Sequence, residues 1–475
     1  MSTAPFNATS AEVTSIDASA RGPLLRLVGF AIKWLIISGV LSLIGSIQLI
    51  KPTFFADSSW LTYGRLQALQ ESVFIYGWAA NAGLAVVLWI LARLGGGPLR
   101  GLNWVTFGTI FWNVALLVGL IGIATGDATS IAYLQLPAYV QLAMLVSYGA
   151  IAISGVLAWS GRRTDGTFAS HWYGVAALLL FPWLFSAAQV TLLWLPVRGV
   201  LQAIVDGWYV QSVWSLWLAP LALTGAFYLV PKITGRVIPN YYFWTALSFW
   251  TLVVIGPWTG GRNLVGGPVP AWIPSVAIVS CSLMVFHYVM TFLNLRAVFG
   301  DGGFALKFVA FGVVCYVLGG LLEAVTSIRG VSKIVQFTYF AQAQNHLALY
   351  GAASMVFFGA IYYLVPRVSG NVWGSAALAR SHFGLAALGV VLLVVSLAGA
   401  GWVQGHDLNT PTVGFSTIAE HTKPWLLAAT AAQGILLLAS VVFGVHFLRT
   451  ACVEAGNVPA ASLLRQPAVM EASAS

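Results

Sequence analysis

Charge is scarce in this chain: only 7% of its 475 residues are Asp, Glu, Lys or Arg, against about 25% in an ordinary soluble domain. A chain that is 59% hydrophobic, with a mean hydropathy of +0.87, cannot cover itself with a polar surface, so its solvent is the membrane and its first partners are lipids. No run of Lys and Arg and no basic amphipathic helix occurs, which excludes nucleic acid as a partner despite the formal net charge of +9. Cysteine is also rare. Cys281, Cys315 and Cys452 stand alone, without a CxxC pair or zinc spacing, and read as small packing residues. No secretory signal opens the chain, because MSTAPFNATSAEVTSIDASA has neither a basic n-region nor an apolar core.

What is present is a series of apolar runs. A membrane-crossing helix needs about 20 mostly apolar residues. Runs of that kind cover 30–50, 71–93, 104–124, 137–160, 171–195, 208–231, 241–258, 271–295, 305–326, 342–366, 381–402 and 424–448. The expected fold is therefore an all-α integral membrane protein of twelve spans. It divides into a disordered tail over 1–23, a membrane domain over 24–450 and a second tail over 451–475. Turn sequences such as GGGPLRG and GGRNLVGGPVP separate the spans, and no connection is long enough for a soluble domain. Fifteen of the 22 Lys and Arg residues lie in the termini and the loops on their side, against seven opposite. The positive-inside rule then predicts that both termini are cytoplasmic.

An internal repeat adds a second constraint. FYLVPKITG closes the sixth span and YYLVPRVSG the tenth, and sites in membrane repeats often form where the repeats meet. Counting back from the two prolines puts Gln211 and His346 at equivalent positions, about 30 Å away at 1.5 Å per residue. The second span starts with a comparable polar stretch, GRLQALQES, which contains Gln70. Polar groups at that depth are costly and usually functional. Each one alone is also explicable as an interfacial residue wetted by headgroups.

The stretches GRLQALQESVFIYGWAANA, GDATSIAYLQLP, GWYVQSVWSLWLAPLALTGAFYLVPK, SFWTLVVIGPWTGGRNLVGGPVPAW, SIRGVSKIVQFTYFAQAQNH and GAIYYLVPRVSG resemble the catalytic subunit of cbb-type (C-family) haem–copper cytochrome c oxidases. That resemblance implies twelve helices in three four-helix arcs, with two b haems and a copper ion toward the outer side. Residue by residue, it sets Gln70 at one axial position of the low-spin haem and His346 at the other. It sets Gln211, Arg262 and Asn263 at the copper ligands, and Gln344 at the proximal ligand of the high-spin haem. Gly256 falls where the family's tyrosine is expected. Five of six ligand histidines are thus replaced, and neither amide nor guanidinium substitutes for imidazole on copper or iron. No metal and no catalytic residue is expected, and at most one haem b, through His346.

The expectation is a divergent paralogue whose haem space is filled by a polar plug of Gln–Gln and Gln–His contacts. It would serve as a scaffold or partner subunit beside other membrane subunits, among them a membrane-anchored cytochrome c, in a bacterial cytoplasmic membrane. Two alternatives are an active terminal oxidase or nitric oxide reductase relative with unusual ligation, and a polar conduit for protons, ions or small molecules. Glu323 lies within one residue of an acidic position that the resemblance associates with proton or cation handling. Of the remaining histidines, His171, His382, His446, His406 and His421 read as interfacial, and His287 as packed within its span.

Overall fold

The computed structural model describes residues 10–163, 166–238, 241–300 and 302–451. Among the described residues, eleven helices are long and apolar enough to cross a membrane: α1 (Arg21–Ile50), α2 (Tyr63–Gly95), α3 (Leu102–Thr125), α4 (Ala138–Ser160), α5 (Ala169–Trp194), α6 (Val200–Thr234), α8 (Trp272–Phe299), α9 (Gly303–Ser327), α10 (Tyr339–Ser369), α11 (Ala376–Leu408) and α12 (Phe415–Ala451). The twelfth, α7 (Tyr241–Ile255), is shorter and continues as a 3₁₀ segment, Gly256–Leu264. No strand occurs among the described residues.

Nine helices form a closed outer ring. Neighbours pack in the order α1, α3, α4, α5, α7, α8, α9, α11 and α12, and α12 packs back on α1. The other three, α2, α6 and α10, pack on one another inside the ring. In their most apolar stretches, 100%, 94% and 89% of the residues of α2, α6 and α10 are buried, against 39–56% for the other long spans. Every fourth span is thus an inner one. This is the arrangement expected of a four-helix unit repeated three times. Paired amides help to lock the units: Asn113 Nδ2 donates to Asn81 Oδ1 (3.0 Å), and Trp34 Nε1 donates to Asn113 Oδ1 (2.7 Å), tying α1, α2 and α3 together.

The repeat is deeper than its sequence signature. Each inner helix widens into a π-helical segment near its N-terminal end: Val73–Ala79, Val213–Leu218 and Leu347–Ser354. Each ends on a left-handed glycine cap, Gly96, Gly235 and Gly370, with a cation three residues earlier: Arg93, Lys232 and Arg367. The inner helices run parallel, so one face of the protein gathers their polar N-terminal ends and the opposite face gathers the three cations.

The expected N-terminal tail over 1–23 differs from the structure over its described part. Residues Ser10–Ser19 form a helix, and α1 begins at Arg21. The reason is a buried carboxylate. Asp17 accepts a hydrogen bond from Trp89 Nε1 (2.9 Å) and pairs with Arg93 (3.3 Å), which docks this helix on the cationic ends of the inner helices. Residues 1–9 and the expected tail from 452 onward, with Cys452, lie outside the described residues. Cys281 and Cys315 are buried and unbridged.

Candidate functional site

The polar N-terminal ends of the inner helices make two separate environments. The first joins α6, the 3₁₀ segment after α7, and α9. Gln211, the penultimate residue of the first α-helical stretch of α6 (Val200–Ser212), is buried there. Arg262 Nη1 donates to Gln211 Oε1 (2.9 Å) and to Thr259 O (3.2 Å). The same nitrogen lies 2.8 Å from Glu323 Oε1, with only 18% and 13% of the two side chains exposed. That carboxylate oxygen has no aligned hydrogen bond, so the contact is an ion pair held by charge. Gln344 does not join this group directly. Its Nε2 donates to Thr326 Oγ1 (2.8 Å) on α9, one turn from Glu323.

Asn263 lies apart: its side chain is exposed, and its backbone carbonyl accepts from Gln336 Nε2. Gly256 is pinned against α6, where an added Cβ atom meets Ser215 Cβ at 2.7 Å. No side chain fits at that position as the backbone stands.

This donor set does not suit a copper ion. A guanidinium has no lone pair to donate and carries a permanent positive charge, already balanced by Glu323. The Gln344 amide nitrogen is committed to Thr326, and an amide is a weak axial donor to iron. The expected plug of Gln–Gln and Gln–His contacts is not what fills this space. Among the described residues no such pair is hydrogen-bonded, and an Arg–Glu ion pair braced by Gln211 stands there instead. With a guanidinium buried there, a carboxylate is needed to balance its charge, which an amide pair does not do.

The second environment is a cleft among α1, α2, α10, α11 and α12. It encloses about 1150 Å³ of space outside protein atoms, part of it open to the surroundings. Gln70 and His346 both line it, from α2 and α10. Each is half-buried, and neither side chain has a hydrogen-bond partner among the described residues. Glu71, beside Gln70, accepts from Gln135 Nε2 in the α3–α4 connection. That connection is itself held by Tyr76 and Tyr209, whose hydroxyls donate to Tyr133 O from α2 and α6. The structure therefore brings together Gln211, Arg262 and Glu323, puts Gln344 one turn away, and separates all of them from Gln70 and His346.

Other histidines depart from their expected places. His171, His382 and His446 are buried, not interfacial. His382 Nδ1 and His446 Nδ1 both lie near Tyr362 Oη (3.1 and 3.4 Å), in a cage with Phe358 and Phe443. A lone histidine near a span end carries no sequence signal for such a cage. His287 is packed as expected, with Nε2 at 2.8 Å from Tyr316 Oη and Nδ1 at 2.8 Å from Ser248 O. His421 pairs with Asp407 (2.8 Å) at an exposed connection.

Comparison with known proteins agrees with this architecture. Residues 23–435 match the family described as cytochrome c and quinol oxidase polypeptide I. The chain is 23% identical over 441 residues to the cbb3-type cytochrome c oxidase subunit CcoN1 of Stutzerimonas stutzeri, covering 88% of this chain and 92% of that one. It is also 23% identical over 470 residues to a bacteroid cytochrome c oxidase subunit 1 homologue of Bradyrhizobium diazoefficiens, covering 94% and 85%. In three dimensions it resembles a chain of a heme-copper terminal oxidase dimer, with a TM-score of 0.72, 14% identity, and coverage of 96% and 86%. With twelve helices in this order and a match that spans nearly the whole membrane region, the chain belongs to the cytochrome c and quinol oxidase polypeptide I family.

Proposed function

We propose that this multi-pass membrane protein has no working oxygen-reducing haem–copper centre. It acts as a scaffold or partner subunit of a respiratory or cytochrome-containing complex in a bacterial cytoplasmic membrane, with both termini cytoplasmic. The observation that carries this reading is the Arg262–Glu323 ion pair, braced by Gln211, at the positions that the resemblance assigns to copper. A fixed organic cation there serves the packing role of a metal ion but offers no vacant coordination position, no redox couple and no bound oxygen. The relatives are named as subunits of oxidases, and a shared helical frame is what a partner subunit needs to dock the same neighbours. A polar conduit is less well supported. At and below the π segments the inner helices close through apolar and aromatic contacts, among them Trp78 on Phe358 (4.9 Å) and Leu221 against Gly83.

The test is a reduced-minus-oxidised visible spectrum of the purified protein, with metal analysis of the same sample. The expected result is no stoichiometric copper and no pair of b haems. Two b haems with stoichiometric copper would overturn the proposal.

A further inference from the structure

The cationic ends of the three inner helices repeat one pattern that the reading above does not use. Trp89, Tyr228 and Tyr363 each stand four residues before a cation, Arg93, Lys232 and Arg367, and each cation stands three residues before its glycine cap. Parallel packing brings the three copies together. Trp89 lies edge-on to Tyr228 (5.4 Å between ring centroids) and to Tyr363 (5.9 Å), and all three rings are buried. They make an aromatic floor, with one cation from each helix at its rim. Arg93 and Arg367 stand close enough to act on each other and on Lys232 as like charges.

A cation in the last turn of a helix ordinarily serves the carbonyls there, and Arg367 Nη1 does donate to Tyr363 O (2.7 Å). That role does not call for three cations in one place. Like charges gathered in a half-buried setting repel one another unless an anion lies among them. The chain supplies one anion, Asp17, which pairs with Arg93 (3.3 Å). It comes from the Ser10–Ser19 helix, which packs on α1, α2 and α10. Lys232 is exposed, and among the described residues neither it nor Arg367 has an ion pair with an acidic side chain.

Asp17 is also a poor occupant. Its burial costs more than Arg93 and the Trp89 hydrogen bond return, which is why its carboxyl is held above the usual aspartate range. A carboxylate offers one charge and two oxygens to cations on three helices. A phosphate monoester carries about two charges and three acceptor oxygens, and arginine binds such a group through paired N–H donors.

We propose that this rim binds a phosphate group in competition with Asp17, and that binding releases the Ser10–Ser19 helix. Arg93, Lys232 and Arg367 hold the phosphate oxygens above the floor of Trp89, Tyr228 and Tyr363. The rim lies at the ends of membrane spans, within reach of both an anionic lipid headgroup and a soluble phosphate. Haem or copper content does not enter this inference, so it stands or falls apart from the function proposed above.

Hydrogen exchange over Ser10–Ser19 in the full chain reads release. One arm adds inorganic phosphate to the protein in mild detergent, with sodium chloride at matched ionic strength as the control. The other compares nanodiscs of phosphatidylcholine alone with nanodiscs that also contain phosphatidylglycerol. The expected result is saturable acceleration of exchange in at least one arm. A response to inorganic phosphate identifies a soluble anion, and a response to phosphatidylglycerol identifies a lipid headgroup. Lys232→Gln leaves the melting temperature unchanged and raises the half-saturating amount of the same anion by about fivefold. Asp17→Asn removes the competing charge, so native mass spectrometry finds more of that anion retained. No acceleration in either arm overturns the proposal, as does an equal response to sodium chloride. Unchanged half-saturation in Lys232→Gln, or no gain in retention in Asp17→Asn, overturns it as well.

Discussion

A guanidinium and a copper ion share one property, positive charge, and differ in nearly every other. Arg262 has five N–H donors in a fixed plane and no lone pair, so it can recruit a carboxylate and an amide but not a ligand set. Its partners in the structure are of that kind, Glu323 and Gln211. Both charged side chains are mostly buried, so the pair is costly to break on one side only. Glu323→Gln leaves the guanidinium without a counter-charge, and the expected loss of stability is about 3–5 kcal/mol. The double variant Arg262→Met/Glu323→Leu removes both charges together and is expected to recover most of that loss. Thermal unfolding of the wild type, the single variant and the double variant in one detergent reads both effects. If the single and the double variant melt alike, the two residues are not coupled and the ion pair is not what holds these segments.

At the level of elements, the repeat explains why some features were readable and others were not. FYLVPKITG and YYLVPRVSG share a Val-Pro pair that betrays α6 and α10. The third copy, in α2, has Leu91 and Ala92 in place of that pair, and what it keeps is Arg93 three residues before the cap Gly96. A cation at that spacing from a glycine is too common a pattern to stand out until three helices are seen to end together. The helix over Ser10–Ser19 was hidden for a different reason: it has no apolar run, and a few distant contacts hold it, chiefly those of Asp17. Burial pushes the Asp17 carboxyl above the usual aspartate range, while Arg93 and the Trp89 hydrogen bond pull it back in part. The folded-state value therefore lies above the unfolded one of about 3.9. Docking of this helix is strongest below that value and is weakened as pH rises through the raised one. Hydrogen exchange of the backbone over Ser10–Ser19 is expected to speed up relative to intrinsic rates as pH rises from about 4 through that raised value. Asp17→Asn should flatten that dependence, and an equally steep profile in the variant would assign the effect to another group.

At the scale of the whole molecule, length and hydropathy carried eleven of the twelve expected spans, with α7 shorter, because a bilayer imposes a minimum apolar run on any helix that crosses it. They carried little hint of which spans lie inside. The inner helices are no more apolar than any outer one and mostly slightly less so, a small difference because lipid and protein interior accept the same side chains. The cleft was illegible for a related reason: its lining comes from five spans far apart in the chain, and its polar members look like interfacial residues one at a time. Charge distribution is the one sequence property that speaks to the whole molecule at once. Fifteen cations on the side of the termini against seven opposite agree with the structure, which gathers Arg93, Lys232 and Arg367 at one set of inner-helix ends. On the topology proposed above, the ion pair and the cleft would face the outer side of the membrane. Two exposed positions test this, Ser59 between α1 and α2 and Gly374 between α10 and α11. In a background without native cysteines, Ser59→Cys should react with a membrane-impermeant maleimide in intact cells. Gly374→Cys should react only after permeabilisation. The opposite pattern would invert the protein, turning the cleft toward the cytoplasmic leaflet and away from any partner on the outer side. Labelling of both positions in intact cells would contradict the odd number of crossings, α2 to α10, that lies between them.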